Sequence, residues 1–365
     1  MLRYCNTECQ RKDWAAVHKE ECGMIQSVAP HKPTSSMLLM WRVLIRRIKE
    51  EQEGKSLPNF DLIRYLTTHI DAFPSEKKEH FGVMAALIKK SLPATLPTDI
   101  TPQEIMHLFC LFACNNFTVS DGELKPLGLG IYPPAALINH SCDPNCVIIF
   151  EGRQCTVRSL RDITKDEEIT FNYVEVGDPT ETRRSLPEVT PAPKGVNEQN
   201  ELRRAAKYDR EGAEAKKTGD LVLARKKYKR AFKIRRSLLL AHDPLLGFNL
   251  NELMNLCISL APNVGEAAWR EALLYCSASL AVFERIYPPR WPLVGLQYLI
   301  HGKLSFYLKY TEAALESMQR ALPILTITHS SGHPLVRTLH TMLAEATAEW
   351  NYEKDHNPRL HRLSP

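Results

Sequence analysis

Apolar residues recur at helical spacing in the N-terminal third of the chain. Over residues 37–53 they repeat every three or four positions, which predicts an amphipathic helix. Its apolar stripe consists of Leu38, Trp41, Leu44, Ile45 and Ile48. A second helix is predicted to begin after Thr101, because Thr caps, Pro102 suits the first turn and Glu104 completes a capping box. This helix continues to about residue 115.

The pattern changes to short strands in the middle of the chain. Residues 146–150 form a β-type run, residues 151–153 a turn, and residues 154–160 a second strand, which together predict a hairpin. A third short strand is predicted at residues 169–171. From about residue 177 to residue 195 the sequence is rich in Pro and Thr, which indicates a linker.

The part from about residue 198 to residue 350 is helical throughout and contains a loose repeat. The three copies are Ala224-x3-Tyr228-x2-Ala231, Ala272-x3-Cys276-x2-Ser279 and Ala314-x3-Met318-x2-Ala321. Small residues at such regular intervals favour stacked helical hairpins of the tetratricopeptide kind, although the intervals exceed the usual ~34 residues. An ordinary helical bundle is the alternative.

Composition narrows the class of protein. A chain of 365 residues with 44% apolar and 24% charged residues is typical of a globular protein with two or three domains. The longest apolar stretch, near residues 105–113, is shorter than the ~20 residues of a membrane span, so no membrane association is expected. The N-terminus has no apolar leader, and we therefore expect a cytoplasmic and nuclear protein whose ten cysteines remain reduced. The net charge of +5 is modest, and we do not expect direct nucleic-acid binding.

Four potential zinc ligands lie close together near the N-terminus. They form the pattern Cys5-x3-Cys9-x8-His18-x3-Cys22. Each close pair fits within one turn and can hold the same ion, so the spacing favours Zn²⁺ over buried thiols or coincidence.

Two polar segments in the middle of the chain carry the other candidate chemistry. The first is Gly128-Leu-Gly130-Ile-Tyr132-Pro133-x4-Ile138-Asn139-His140-Ser141-Cys142-Asp143-Pro144-Asn145, and the second is Asp166-Glu-Glu-Ile-Thr-Phe-Asn-Tyr173. Taken singly, the first is compatible with a polar turn and Tyr173 with a half-buried structural tyrosine. Both segments occur in this order, however, with a predicted hairpin between them.

Together these segments resemble the signature of SET methyltransferases, and the N-terminal cluster resembles the second half of a MYND zinc finger. The resemblance to the SET and MYND family of protein-lysine methyltransferases extends over nearly the whole chain. It implies an α+β fold with a partial MYND finger (1–24), a helical insert (25–116), a SET core (117–176), a linker (177–197), a helical tetratricopeptide-like domain (198–350) and a tail (351–365).

The resemblance implies transfer of a methyl group from S-adenosylmethionine to a lysine of a histone or another protein, and a role in chromatin regulation. In such enzymes the tyrosine equivalent to Tyr173 orients the lysine amine and contacts the cofactor, and the segment equivalent to Asn139-His140 holds the cofactor. Asn115 and His69 match further cofactor-binding positions. A helix C-cap is the alternative for Asn115, and a purely structural role for His69.

Three departures from the family pattern stand out. No Gly-rich segment precedes Tyr4, and no Cys-x-Cys-x2-Cys cluster follows Tyr173, since the next cysteine after Cys155 is Cys257. Asp166 replaces a turn glycine, and Asp tolerates the left-handed backbone of such a turn better than most residues. From the first two we expect a shortened chain with impaired activity. The alternative function is an interaction module, because MYND fingers bind proline-rich peptides and helical repeats bind chain termini such as chaperone C-terminal tails.

Overall fold

The computed structural model describes residues 4–30, 32–54, 60–93, 99–174 and 195–356. The chain divides into two compact units. The first contains Met1–Asn139 and Phe150–Thr156, and the second contains His140–Ile149 and Val157–Pro365. Helices dominate both units and the strands form small two-stranded sheets, so the predicted α+β class is confirmed.

The first unit begins with an almost unbroken helical segment. Helix α1 (Thr7–Asp13) leads into a π-helical turn (Trp14–His18) and then α2 (Lys19–Ser27). Asn6 caps α1, because its side chain accepts a hydrogen bond from the backbone N–H of Cys9 at 2.9 Å. The ammonium of Lys49 donates to backbone carbonyls of the π-helical turn. The predicted zinc ligands lie on these helical elements or directly before them.

Both helices predicted in this region are confirmed. Helix α3 (Ser35–Glu53) ends at Gly54, whose φ of 63° is left-handed. Four of the five predicted stripe residues are fully buried in the core of this unit, and Leu38 is partly buried. Helix α4 (Ser75–Ser91) follows, and then α5 (Pro102–Asn115) with the predicted capping box of Thr101 and Glu104. Two 3₁₀ turns, Phe60–Tyr65 and Ile70–Ala72, lie between α3 and α4.

Six short strands and one short helix follow. They are β1 (Asn116–Ser120), β2 (Pro126–Ile131), α6 (Pro133–Ala136), β3 (Asn139–His140), β4 (Cys146–Glu151), β5 (Gln154–Ser159) and β6 (Thr170–Phe171). The predicted hairpin is β4–β5, and the predicted third strand is β6. The antiparallel pair β1–β2 was not predicted, because glycines interrupt the apolar pattern of β2.

Within residues 195–356, the second unit contains seven consecutive helices. They are α7 (Val196–Lys217), α8 (Leu221–Leu238), α9 (Pro244–Val264), α10 (Glu266–Ile286), α11 (Pro292–Tyr307), α12 (Thr311–His329) and α13 (Pro334–His356). Each packs mainly on its neighbours in sequence, as stacked hairpins do. Among the described residues, no helix is both long and apolar enough to cross a membrane.

The repeated motif occupies the helix contacts. All nine motif residues are buried, on α8, α10 and α12. Tyr228 packs against Gly212 of α7, where a Cβ atom would lie 2.9 Å from the tyrosine ring. Met318 packs in the same way against Gly302 of α11. Glycines on the preceding helices therefore allow close approach to Tyr228 and Met318, the central residues of the first and third copies of the motif.

Candidate active site

His140 and Tyr173, two of the predicted site residues, lie together in the second unit. The backbone N–H of Tyr173 donates to Nδ1 of His140 at 3.0 Å, and the two ring centroids are 5.3 Å apart. The ring of Phe171 lies 5.1 Å from that of Tyr173. Beside them, the backbone N–H of Ser141 donates to the carbonyl of Phe171 at 3.0 Å. The two polar segments of the sequence thus meet at these aromatic residues.

The hydrogen bond to Tyr173 fixes the tautomer of the imidazole. Because Nδ1 of His140 accepts a hydrogen bond, the neutral ring carries its own hydrogen on Nε2. Nε2 lies 3.4 Å from Sγ of Cys142. His140 therefore connects the backbone of Tyr173 on one side to the thiol of Cys142 on the other.

Asn145 holds the segment that leads to Tyr173. Its side chain is 3% exposed and makes hydrogen bonds to three residues. Oδ1 accepts from the backbone N–H of Thr170 at 2.9 Å, and Nδ2 donates to the carbonyl of Glu168 at 2.8 Å and to the carboxylate of Glu167 at 3.1 Å. The residues that precede Tyr173 are therefore tied to the loop that follows His140.

Glu167 completes this bracing network. It accepts hydrogen bonds from the guanidinium of Arg161 at 2.6 Å and from the backbone N–H of Thr164 at 3.0 Å. These bonds lower the pKa of Glu167 to about 2, and the bond from Arg161 has the largest effect. The turn beside it contains Asp166 with φ of 67°, the left-handed conformation that the replacement of a glycine predicted. Sequence reasoning did not select Asn145 or Glu167, although both belong to the two motif segments.

The phenol of Tyr173 stays protonated at neutral pH. The side chain is 55% exposed, and its partial burial raises its pKa above the ordinary value. A neutral phenol can donate and accept hydrogen bonds but does not act as a base near pH 7. The arrangement can therefore orient a polar group without removing its proton.

The first unit contains Asn115, His69 and Asn139. At the C-terminal end of α5, Nδ2 of Asn115 donates to the carbonyls of Thr67 at 2.8 Å and Leu111 at 2.7 Å. Asn115 therefore fastens the end of α5 to the segment that contains His69. His69 is exposed with a left-handed φ of 46°, and Asn139 is exposed in β3.

Gly130 makes room for an aromatic residue in the same unit. A Cβ atom at Gly130 would lie 2.7 Å from the ring of Tyr132. The Tyr132 ring packs 5.4 Å from that of Phe150, and its hydroxyl donates to the carbonyl of Arg153 at 3.1 Å. The glycine in the Gly128–Tyr132 motif is thus explained by close packing. A cavity of about 370 Å³ lies elsewhere in this unit, lined mainly by apolar residues of α3, α4 and α5 and by none of the predicted site residues.

The four predicted zinc ligands do not gather at one point. Sγ of Cys5 lies 2.9 Å from Sγ of Cys9, which is well short of the roughly 3.8 Å expected for two thiolates on one tetrahedral zinc. Within the described ranges, however, the single group of three ligand atoms lying within 4.8 Å of one another is Asp13, His18 and Glu21. Cys5, Cys9, His18 and Cys22 therefore do not form one group of ligand atoms in this arrangement, and zinc binding by them stays a prediction.

A guanidinium already occupies the position between the carboxylates of that group. Arg42 donates to both oxygens of Glu21, at 2.7 and 2.6 Å, and to both oxygens of Asp13, at 2.9 and 3.1 Å. Burial alone would raise the pKa of Asp13, but hydrogen bonds from Arg42 and Tyr4 lower it below its usual value. Nδ1 of His18 faces Glu21 at 2.8 Å. We interpret this group as a structural charge network centred on Arg42.

Comparison with known proteins assigns the family. The SET domain family model matches residues 3–174, which ends directly after Tyr173. The chain is 29% identical to histone-lysine N-methyltransferase ASHR1 of Arabidopsis thaliana, over 96% of this chain and 84% of that protein. It is 25% identical to histone-lysine N-methyltransferase SMYD3 of Mus musculus, over 95% and 83% of the two chains.

The chain belongs to the SET and MYND family of lysine methyltransferases. A further relative, N-lysine methyltransferase SMYD2 of Homo sapiens, is 24% identical over 91% of this chain and 81% of that protein. These alignments include the helical part of the second unit as well as the SET region. Membership of the SET and MYND family therefore describes the whole chain and not the SET region alone.

Proposed function

We propose that this protein transfers the methyl group of S-adenosylmethionine to the side-chain amine of a lysine in a histone or another protein. The observation that carries the proposal is the hydrogen bond from the backbone of Tyr173 to His140, within a group of three aromatic rings. This bond joins the two motif segments that the family resemblance connects with cofactor and substrate.

The residues beside Tyr173 suit the cofactor. S-adenosylmethionine supplies a methyl group on a positively charged sulfonium. The exposed ring of Tyr173 can attract such a cation through its π electrons, and the buried ring of Phe171, whose centroid lies 5.1 Å away, packs against it. We assign His140 and Asn139 to the cofactor's polar ends, and Asn115 and His69 to further contacts with it.

Tyr173 would position the lysine amine. Its neutral phenol can accept a hydrogen bond from the amine and hold the nitrogen lone pair in line with the methyl group, and positioning of this kind lowers the barrier of a displacement. The amine has to lose its proton to solvent before the transfer, because the phenol of Tyr173 is already protonated near neutral pH and cannot take up a second proton. His140 acts through the backbone of Tyr173 and is in this respect a positioning residue.

Binding of Zn²⁺ by the N-terminal cluster is a separate proposal. The neighbouring thiols of Cys5 and Cys9 support it, and His18 and Cys22 would serve as ligands only after local rearrangement. A cytoplasmic and nuclear location, a role at chromatin and binding of proline-rich peptides or chaperone tails accord with the family. The alternative function is a pure interaction module, in which the N-terminal cluster and the helical repeats bind partners and no catalysis is required.

Calorimetric titration of S-adenosylmethionine into the full chain tests the methyltransferase proposal. We expect saturable binding, and methylation of a histone substrate that falls at least a hundredfold in Tyr173→Phe. Tyr352→Phe is the matched control, since Tyr352 is similarly exposed on α13. Absence of binding heat from a protein with a folded far-UV spectrum would reject the proposal and leave the interaction module.

A further inference from the structure

Positive charge is concentrated on helices α7 and α8. Residues 196–238 contain fourteen Lys and Arg against six Asp and Glu, a net charge of +8. The whole chain carries +5, so the rest of the protein has a net charge of −3. Helix α8 has no acidic residue at all. The modest total charge, from which we expected no nucleic-acid binding, therefore conceals a strong local excess.

The excess is arranged in two rows. Arg203, Lys207 and Arg210 are spaced i, i+4 and i+7 on α7, and all three are exposed. The same spacing recurs on α8 with residues that are likewise exposed, namely Lys226, Arg230 and Lys233. This spacing places each set on one side of its helix, over a length of about 10 Å.

The ring of Tyr208 lies beside basic residues of both helices. Its ring centroid lies 5.8 Å from the guanidinium of Arg204 on α7, and 5.7 Å from both Arg230 and Lys227 on α8. A hydrogen bond from Arg204 lowers the pKa of Tyr208, and the charges of Arg230 and Lys227 lower it further. We treat the two rows and the residues around Tyr208 together as one positively charged surface, which we call the basic face.

Ion pairs within the protein neutralise only part of the charge on the basic face. Glu201 pairs with Arg204, and Glu211 pairs with Lys227 at 2.6 Å and with Lys207 at the long distance of 4.0 Å. Within the part of the chain that the structure describes, Arg203, Arg210, Lys226 and Lys233 form no ion pair.

Other cations of the same helices do have internal partners. Arg235 pairs with Asp209, and Arg225 and Lys229 pair with Glu271 of α10. The paired cations stabilise the helix contacts, whereas the unpaired cations face solvent and repel one another. Such a surface is stabilised by an external polyanion.

We propose that the basic face binds the phosphate backbone of a nucleic acid. Arginine binds phosphate oxygens through its planar fork of donors. Four residues of the basic face are arginines, namely Arg203, Arg204, Arg210 and Arg230. Two rows about 10 Å long match an extended chain of phosphates better than a single anion. The ring of Tyr208 adds an aromatic group among the arginines, as in surfaces that bind single strands by stacking. Methyl transfer is not needed for this binding.

Fluorescence anisotropy with the full chain tests the proposal. The probes are a labelled single-stranded RNA and a DNA duplex of mixed sequence, whose ratio of affinities identifies the nucleic acid preferred. Arg203, Arg210, Lys226 and Lys233 are changed together to Gln. We expect at least tenfold weaker binding at low salt, and a plot of log K against log salt that is less steep by about 3 for single strands.

The control neutralises four exposed cations outside the basic face. These are Lys19, Arg46, Arg285 and Arg337, each changed to Gln. We expect this variant to bind within twofold of the native chain, with far-UV spectra showing that both variants are folded. Three results would each overturn the proposal: no binding at low salt, equal weakening by both variants, or displacement of the nucleic acid by polyglutamate at equal charge concentration, which would indicate an acidic protein partner instead.

Discussion

The side-chain oxygen of Asn145 accepts a hydrogen bond from the backbone N–H of Thr170 at 2.9 Å, across 25 residues of sequence. This bond fixes the strand that immediately precedes Tyr173 to the loop that follows His140. The geometry of the candidate active site therefore depends on a residue that lies outside the catalytic group.

Asn145→Ala tests this dependence. The change leaves the N–H of Thr170 and the carbonyl of Glu168 without their partner in a nearly buried position, so we expect a loss of about 2–4 kcal/mol in the free energy of unfolding. Urea unfolding measures it. Asn351→Ala on the exposed face of α13 is the control and should change stability by less than about 0.5 kcal/mol. An unchanged urea midpoint for Asn145→Ala would exclude the bracing role.

The effect of replacing His140 on activity should depend on whether the new side chain can still accept the hydrogen bond from the N–H of Tyr173. His140→Ala removes the acceptor of the Tyr173 N–H, so Tyr173 is positioned less well. If this raises the activation free energy by about 1.4 kcal/mol, kcat/KM falls about tenfold. His140→Asn can present Oδ1 in a similar place and should recover part of that loss. Methylation kinetics at several substrate concentrations measure both variants. Equal activity of the Ala and Asn variants would contradict a role through this hydrogen bond.

Glu167 should make the protein sensitive to acid. Its pKa is about 2 in the folded protein and near 4.5 when unfolded, so its stabilising contribution is complete above pH 4.5 and is lost as the pH falls towards 2. In Glu167→Gln that part of the pH dependence should disappear. Comparing urea midpoints at pH 6 and pH 3 isolates the effect. Glu151→Gln, at an exposed carboxylate of β4, should keep the pH dependence of the native chain.

Two helical glycines should respond in opposite directions to alanine. In Gly212→Ala the new methyl group would lie 2.9 Å from the rigid ring of Tyr228, so we expect destabilisation by about 1–3 kcal/mol. Gly23 of α2 has no atom within 4 Å of a new Cβ, and Gly23→Ala should therefore stabilise by up to about 1 kcal/mol through helix propensity. Thermal unfolding of both variants decides the matter. Stabilisation by Gly212→Ala would refute the close packing of α7 on α8.

The elements that the sequence predicted well are those set by local chemistry. The helix at residues 37–53, the capping box at Thr101 and the β4–β5 hairpin follow from periodicity and from residues no more than four positions apart. The left-handed turn at Asp166 belongs to the same class. The repeat positions at the helix contacts could also be predicted from the sequence, because small residues at fixed intervals reflect repeated helix contacts.

Other features required the folded chain. The link between Asn145 and Glu167 joins residues 22 positions apart, and which of many polar side chains pair at that separation is decided by how the segments pack. The predicted zinc ligands have suitable spacing along the chain, yet Nδ1 of His18 faces Glu21, and the thiols of Cys5 and Cys9 do not group with it.

Residue types and their spacing along the chain determined the helices, the hairpin, the family and the identity of the two motif segments. Only the tertiary structure decided that His140 meets the backbone of Tyr173, that Arg42 fills the space between two carboxylates, and that cations of two helices share one surface. The physical reason is range. Backbone preferences act over a few residues, whereas hydrogen bonds and charges act between whatever atoms packing brings within a few ångströms.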